Sequence, residues 1–211
     1  MKALLARTDG NGWRFGFNAA LCLMLSCARV PPWTGGSDCP VVLMSSTELR
    51  APARLRARVR IAVGDREIGI EVVALKGPEE LVVVGIAPQG TRLFAVRQRG
   101  RDLEIDASSR QLEHLAHWVM DALHRGFWIE PVDLTWRNDE VNWIWEGEEV
   151  VEIQQAGHRR REFRRAGNVS DVAPVAIDYR DRPHPGGIPG FEIRNAWCGY
   201  EAIFVPLDEA D

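Results

Sequence analysis

Over most of its length the chain alternates apolar and polar residues with a period of two. Leu55, Ala57, Val59, Ile61 and Val63 interleave with Arg54, Arg56, Arg58 and Arg60. Successive side chains of a strand point to opposite faces, so this pattern predicts a strand with one apolar face and one basic face. After a Gly64-Asp65 turn the alternation resumes in Ile68, Ile70, Val72 and Ala74, which predicts a hairpin. Further strands are predicted at 81–86, 92–97, 103–106, 132–136, 141–145, 150–155, 159–165, 175–180, 191–197 and 202–205. The connections are mostly two to six residues long. Parallel pairing needs crossovers of about a dozen residues or more, so the sheet must be mainly antiparallel.

One segment departs from this period. Between Ser109 and Arg125, Leu112, Leu115, Ala116, Val119, Ala122 and Leu123 recur at helical spacing. Ser108 or Ser109 can cap its start and Gly126 can end it. A long sheet with one apolar face must curl or be covered, and this lone amphipathic helix is the available cover. The expected fold class is mainly β with one α-helix: a curved antiparallel half-barrel covered by a helix, with an apolar cavity between the two.

The N-terminus follows a different logic. Lys2, Arg7 and Arg14 precede an apolar stretch over 15–25, and Ser26-Cys27 follows. This is the pattern of a secretory signal peptide, and the apolar run is too short to span a bilayer. Met24-Leu25-Ser26-Cys27 resembles a bacterial lipobox, in which the cysteine thiol is acylated and becomes the new N-terminus. Ala28, a non-acidic residue after the cysteine, implies the outer membrane by analogy with bacterial sorting. The expected organisation is a signal peptide at 1–26, a lipidated tether at 27–40 and one half-barrel domain at 41–211. Removing 1–26 takes away three bases and one acid, so the formal charge moves from −4 to −6. Such an acidic balance disfavours nucleic acid as a partner. Cys39 and Cys198 then remain, and an oxidising periplasm allows them to pair; two separate buried thiols are the alternative reading.

Three stretches carry a resemblance: Val82 to Phe94, a strand, Pro-x-Gly turn and strand; the helix ending near Arg125; and Ile193 to Ile203, two strands around a Gly-Tyr pair. Over roughly residues 40–207 the chain resembles domain-of-unknown-function family 3261, bacterial lipoproteins whose genes often lie in aryl-polyene clusters. It is similar, more distantly, to the LolA/LolB-like lipoprotein carriers and receptors. The resemblance implies a periplasm-facing outer-membrane lipoprotein without known catalysis. The receptor engages the membrane through an apolar residue in its Pro-x-Gly loop; here that position is Gln89.

Several constellations are candidates for chemistry. His114, His117, Asp121 and His124 share one helix face; it reads either as a divalent-ion site in which His117, Asp121 and His124 supply two imidazoles and a carboxylate, or as a polar face opposite the apolar stripe. Trp128, Trp136, Trp143 and Trp145 read as core, or as the lining of a cavity or membrane interface. Arg159, Arg161 and Arg165, within the basic run at 158–165, read as contacts for lipid phosphate or as a solvated face paired with glutamates. No G-x-S-x-G motif is present. The leading expectation is a non-enzymatic outer-membrane lipoprotein without a cofactor. It binds or helps place a lipid, polyene or lipoprotein acyl chain, with another lipoprotein or an envelope complex as further partner. A ligand-free scaffold and a metal-dependent hydrolase are the alternatives.

Overall fold

The structure is a computed structural model that describes residues 41, 43–49, 54–129, 139–167, 173–183 and 189–207. The chain divides into two units, Met1–Pro31 and Pro32–Asp211; all described residues belong to the second. Among the described residues, eleven strands form one antiparallel sheet: β1 (Arg54–Val63), β2 (Arg66–Lys76), β3 (Glu80–Ile86), β4 (Arg92–Arg99), β5 (Asp102–Ala107), β6 (Glu140–Trp145), β7 (Glu148–Gln155), β8 (His158–Arg165), β9 (Val175–Pro183), β10 (Pro189–Asn195) and β11 (Tyr200–Pro206). The strand expected at 132–136 lies outside the described residues. The spatial order is β5-β4-β3-β2-β1-β11-β10-β9-β8-β7-β6. The chain therefore walks out from β1 to one edge, crosses to the other edge, and walks back until β11 pairs with β1.

The crossing carries the helix α1 (Arg110–Leu123), which runs on into a π-helical turn at His124–Trp128. The Ser109 hydroxyl accepts from the Leu112 amide at 3.3 Å and caps the first turn. Gly126 does not end the helix, as its sequence position suggests. It lies inside the π turn, where the Ile129 amide donates to the His124 carbonyl. A Cβ on Gly126 would meet the Phe191 ring at 2.3 Å, so glycine is required for close approach rather than for a left-handed conformation. Gly126→Ala is expected to cost about 1–3 kcal/mol through overpacking, read as a lower thermal midpoint with an unchanged far-ultraviolet spectrum.

The sheet curls. Arg101, in the β4–β5 turn, pairs with Glu146, in the β6–β7 turn, at 2.6 Å. In a flat sheet of this strand order those turns would stand about nine strand spacings apart, roughly 43 Å. Two side chains cannot bridge that distance, so the edges must fold toward one another.

Inward-facing residues follow the predicted alternation. Leu55, Ala57, Val59 and Ile61 of β1 are buried, while Arg54, Arg58 and Arg60 are exposed. The inner face meets Leu115, Val119, Met120 and Leu123 of α1, all fully buried with Phe94, Phe163, Phe191 and Phe204. Phe191 stacks on Phe204 at 4.6 Å, and Phe127 meets Phe191 edge-on at 4.9 Å. Side chains thus occupy the layer between these helix residues and the sheet, and a cleft opens beside it.

Candidate ligand cleft and the buried polar network

The N-terminal half of α1 presents Arg110, Glu113, His114, His117 and Trp118 at offsets of 0, 3, 4, 7 and 8, one face of a helix. Opposite it stand Arg101, Asp102 and Leu103, and beside them Val41 and Leu43. Together they enclose a cleft of about 670 Å³, within the usual range for small-molecule sites. Leu43, Leu103 and Trp118 supply apolar surface. His114 meets Trp118 edge-on at 6.4 Å. Burial pushes the His117 imidazole below its ordinary pKa, against a smaller opposing pull from Glu113. Its Nδ1 is buried and has no hydrogen-bond partner among the described residues. Such an atom is costly unless something fills the space before it.

One turn further along, the same helix enters a polar network. Asp121 accepts from Arg125 Nε, Asn195 Nδ2 and Tyr200 Oη, each at 2.9 Å. Arg125 reaches on to Glu148 of β7 with two bonds, 2.6 and 3.1 Å. Arg161 of β8 donates to the Arg125 carbonyl at 2.9 Å and to Glu152 at 2.8 Å, and Arg159 closes on Glu152 at 2.6 Å. The arginines stack on aromatic rings: Arg125 over Phe163 at 4.6 Å, Arg159 over Tyr179 at 4.4 Å and Arg161 near Trp143 at 5.9 Å. Burial opposes the charges here, but the pairing outweighs it. Glu152 is held below the ordinary carboxylate range by Arg161 and Arg159, and Arg125 is held fully charged by Asp121 and Glu148. Burial, reinforced by Asp121, pushes Tyr200 upward and keeps it a donor.

A separate cluster forms around His124. The Met44 amide donates to Nδ1 at 3.1 Å, so Nε2 carries the proton and donates to Gln98 Oε1 at 2.9 Å. Gln98 in turn donates to the carbonyls of Met44 and Gly100. These bonds fasten the segment before β1 to the helix end and the β4–β5 turn.

Residues 54–208 match the family described as protein of unknown function (DUF3261). The chain belongs to the DUF3261 family. The match covers every strand of the sheet. No curated protein matches the chain. Within this DUF3261 chain, the three resembling stretches are β3–turn–β4, α1 with its π turn, and β10–turn–β11. Gln89 is exposed at the tip of the first.

The structure separates residues that the sequence grouped. His114 and His117 line the cleft, whereas Asp121 and His124 are fully buried in two different networks. The reading of all four as a polar outer helix face is therefore corrected: the face turns inward at Asp121, because Asn195 of β10 and Tyr200 of β11 bond Asp121 and Gln98 of β4 bonds His124. Among the described residues no group of three or more His, Cys, Asp or Glu could hold a metal ion. Arg161 is corrected as a lipid-phosphate contact, since it is fully buried and bound to Glu152. Arg159 is half-buried on the same carboxylate, and Arg165 is exposed near Trp197 at 5.9 Å. Trp128 is buried and packs edge-on against His124 at 4.9 Å. Trp143 and Trp145 are half-buried against the core, and Trp136 lies outside the described residues. Cys198 is disulfide-bonded; Cys27 and Cys39 lie outside the described residues.

The sequence reading missed Arg125, Glu148, Glu152, Asn195 and Tyr200. One signal was present. Glu148 and Glu152 flank Val150 at period two, so they must share its inward face, and Arg161 shares the face of Phe163.

Proposed function

We propose that this protein is a non-enzymatic lipoprotein of the outer membrane's periplasmic face, with a LolA/LolB-like half-barrel that holds an acyl or polyene chain. The cleft between α1 and the β5 edge carries this reading. It has the volume of a small-molecule site, apolar surface from Leu43, Leu103 and Trp118, and polar groups at its rim. Each methylene withdrawn from water there contributes about 0.8 kcal/mol. The lipobox-like stretch ending at Cys27 supports anchoring, since two or three acyl chains hold a protein durably on a bilayer. Helping to place a lipid or another lipoprotein follows from holding its chain beside the membrane.

Native mass spectrometry of protein extracted from its own membrane tests the reading. The expected result is a mature chain that begins at acylated Cys27 and carries a lipid adduct; Cys27→Ser is expected to abolish acylation. Uniformly ligand-free protein would overturn the binding role. It would favour a scaffold, a reading supported by the side-chain-filled layer between α1 and the sheet.

A further inference from the structure

We infer that the cleft selects amphiphiles with an anionic head, such as long-chain carboxylates, which it reads with Arg110, His117 and an Arg101 released from Glu146. This inference rests on the proposed binding role and specifies the ligand for the same cleft. Three observations carry it. Arg110 is exposed at the start of α1 and forms no ion pair among the described residues, yet it lines the cleft. His117 lines the cleft on the same helix face as Arg110, two turns along, and its buried Nδ1 has no hydrogen-bond partner among the described residues. Arg101 also lines the cleft, and its partner Glu146 belongs to the opposite edge of the sheet.

The geometry therefore holds a carboxylate already bound to a cleft arginine. That pair is largely exposed, with side-chain exposures of 55% and 38%, so it is weak and exchangeable. A ligand carboxylate can take the place of Glu146, gain a charge-assisted bond from Arg101, and reach Arg110 and His117 while its tail lies on Leu43, Leu103 and Trp118. Asp102 and Glu113 also line the cleft. They repel an anion that strays from the arginines, and so fix where the head sits.

The test uses the full-length protein in nanodiscs, photolabelled with a diazirine fatty acid and with the matched fatty alcohol. Protein-free nanodiscs serve as blank, and mass spectrometry locates the label. The acid is expected to label the Leu43, Leu103 and Trp118 region at a half-saturating concentration at least tenfold below that of the alcohol. Arg110→Gln is expected to raise that concentration for the acid about tenfold and leave the alcohol unchanged. Glu146→Gln is expected to lower it severalfold, a gain that a merely structural ion pair would not produce. Equal labelling by acid and alcohol, indifferent to Arg110→Gln and Glu146→Gln, would overturn the anionic selectivity and leave the cleft as a binding site. Labelling by neither in the cleft would overturn both readings.

Discussion

Arg125→Ala is expected to destabilise the protein by about 3–5 kcal/mol, because it leaves the buried carboxylates of Asp121 and Glu148 without their shared cation. Arg125 is fully buried and makes one bond to Asp121 and two to Glu148. Its removal also empties the space over Phe163, while the bond from Arg161 to the main-chain carbonyl at position 125 is kept. For a domain of this size the loss corresponds to a fall in melting temperature on the order of 10 °C. Equilibrium denaturation at neutral pH measures it. Arg125→Lys is expected to fall between, since an ammonium keeps the charge but cannot reproduce the fork that spans two carboxylates. Replacing the whole group (Asp121→Asn, Arg125→Met, Glu148→Met) is expected to recover most of the loss, because no charge is then stranded. A loss below about 1 kcal/mol in Arg125→Ala would show that water reaches the carboxylates and that the network is not the anchor of the helix end.

The second large effect is a stability that falls with acid from near neutrality. Burial, helped by the charge of Arg125, lowers the His124 pKa from 6.5 to about 3. The unfolded chain takes up a proton below pH 6.5, while the folded chain refuses it until about pH 3. The unfolded state therefore binds more protons throughout that window, and stability falls as pH falls through it. The slope is about 1.4 kcal/mol per unit, and the whole window amounts to about 4–5 kcal/mol. The hydrogen bonds give the structural reason. Nδ1 already accepts from the Met44 amide, so a second ring proton would break the tie that holds the 43–49 segment. Denaturation midpoints between pH 6.5 and 4.5 isolate this contribution. Glu152, lowered in the fold, adds its own loss only as the pH falls below the ordinary carboxylate range. His117 is lowered too, but it is only half-buried and contributes less. His124→Gln is expected to flatten the slope and His117→Gln to leave most of it. A wild-type stability that is flat between pH 6.5 and 4.5 would contradict a neutral, fully enclosed His124.

Part of the cleft's helical wall was visible in the sequence and misread. His114 and His117 stood out as a pair on one helix face, and they do face one cleft. Arg101 and Leu103 gave no such signal, because they come to α1 from the β4–β5 turn and the edge strand. The Trp and Arg candidates illustrate the same limit. The sequence offered Trp143 and Arg161 as separate candidates for lining and phosphate binding, yet they stand 5.9 Å apart on the inner face. Period two gives Arg161 the face of Phe163, but its approach to Trp143 depends on β6 and β8 pairing on either side of β7.

Patterning alone determined the class of this protein: antiparallel strands, one amphipathic helix, and the inward parity of Leu55, Ala57, Val59 and Ile61. Those properties depend on neighbours two to four residues away, and side-chain period records them directly. Only the tertiary structure decided that β11 closes on β1, that Arg101 meets Glu146 across the opening, and that Asp121, Arg125, Glu148, Glu152 and Arg161 lie buried in one network. A charge looks solvated until the element carrying its counter-charge is folded over it, and that meeting depends on contacts between distant parts of the chain that no local period encodes.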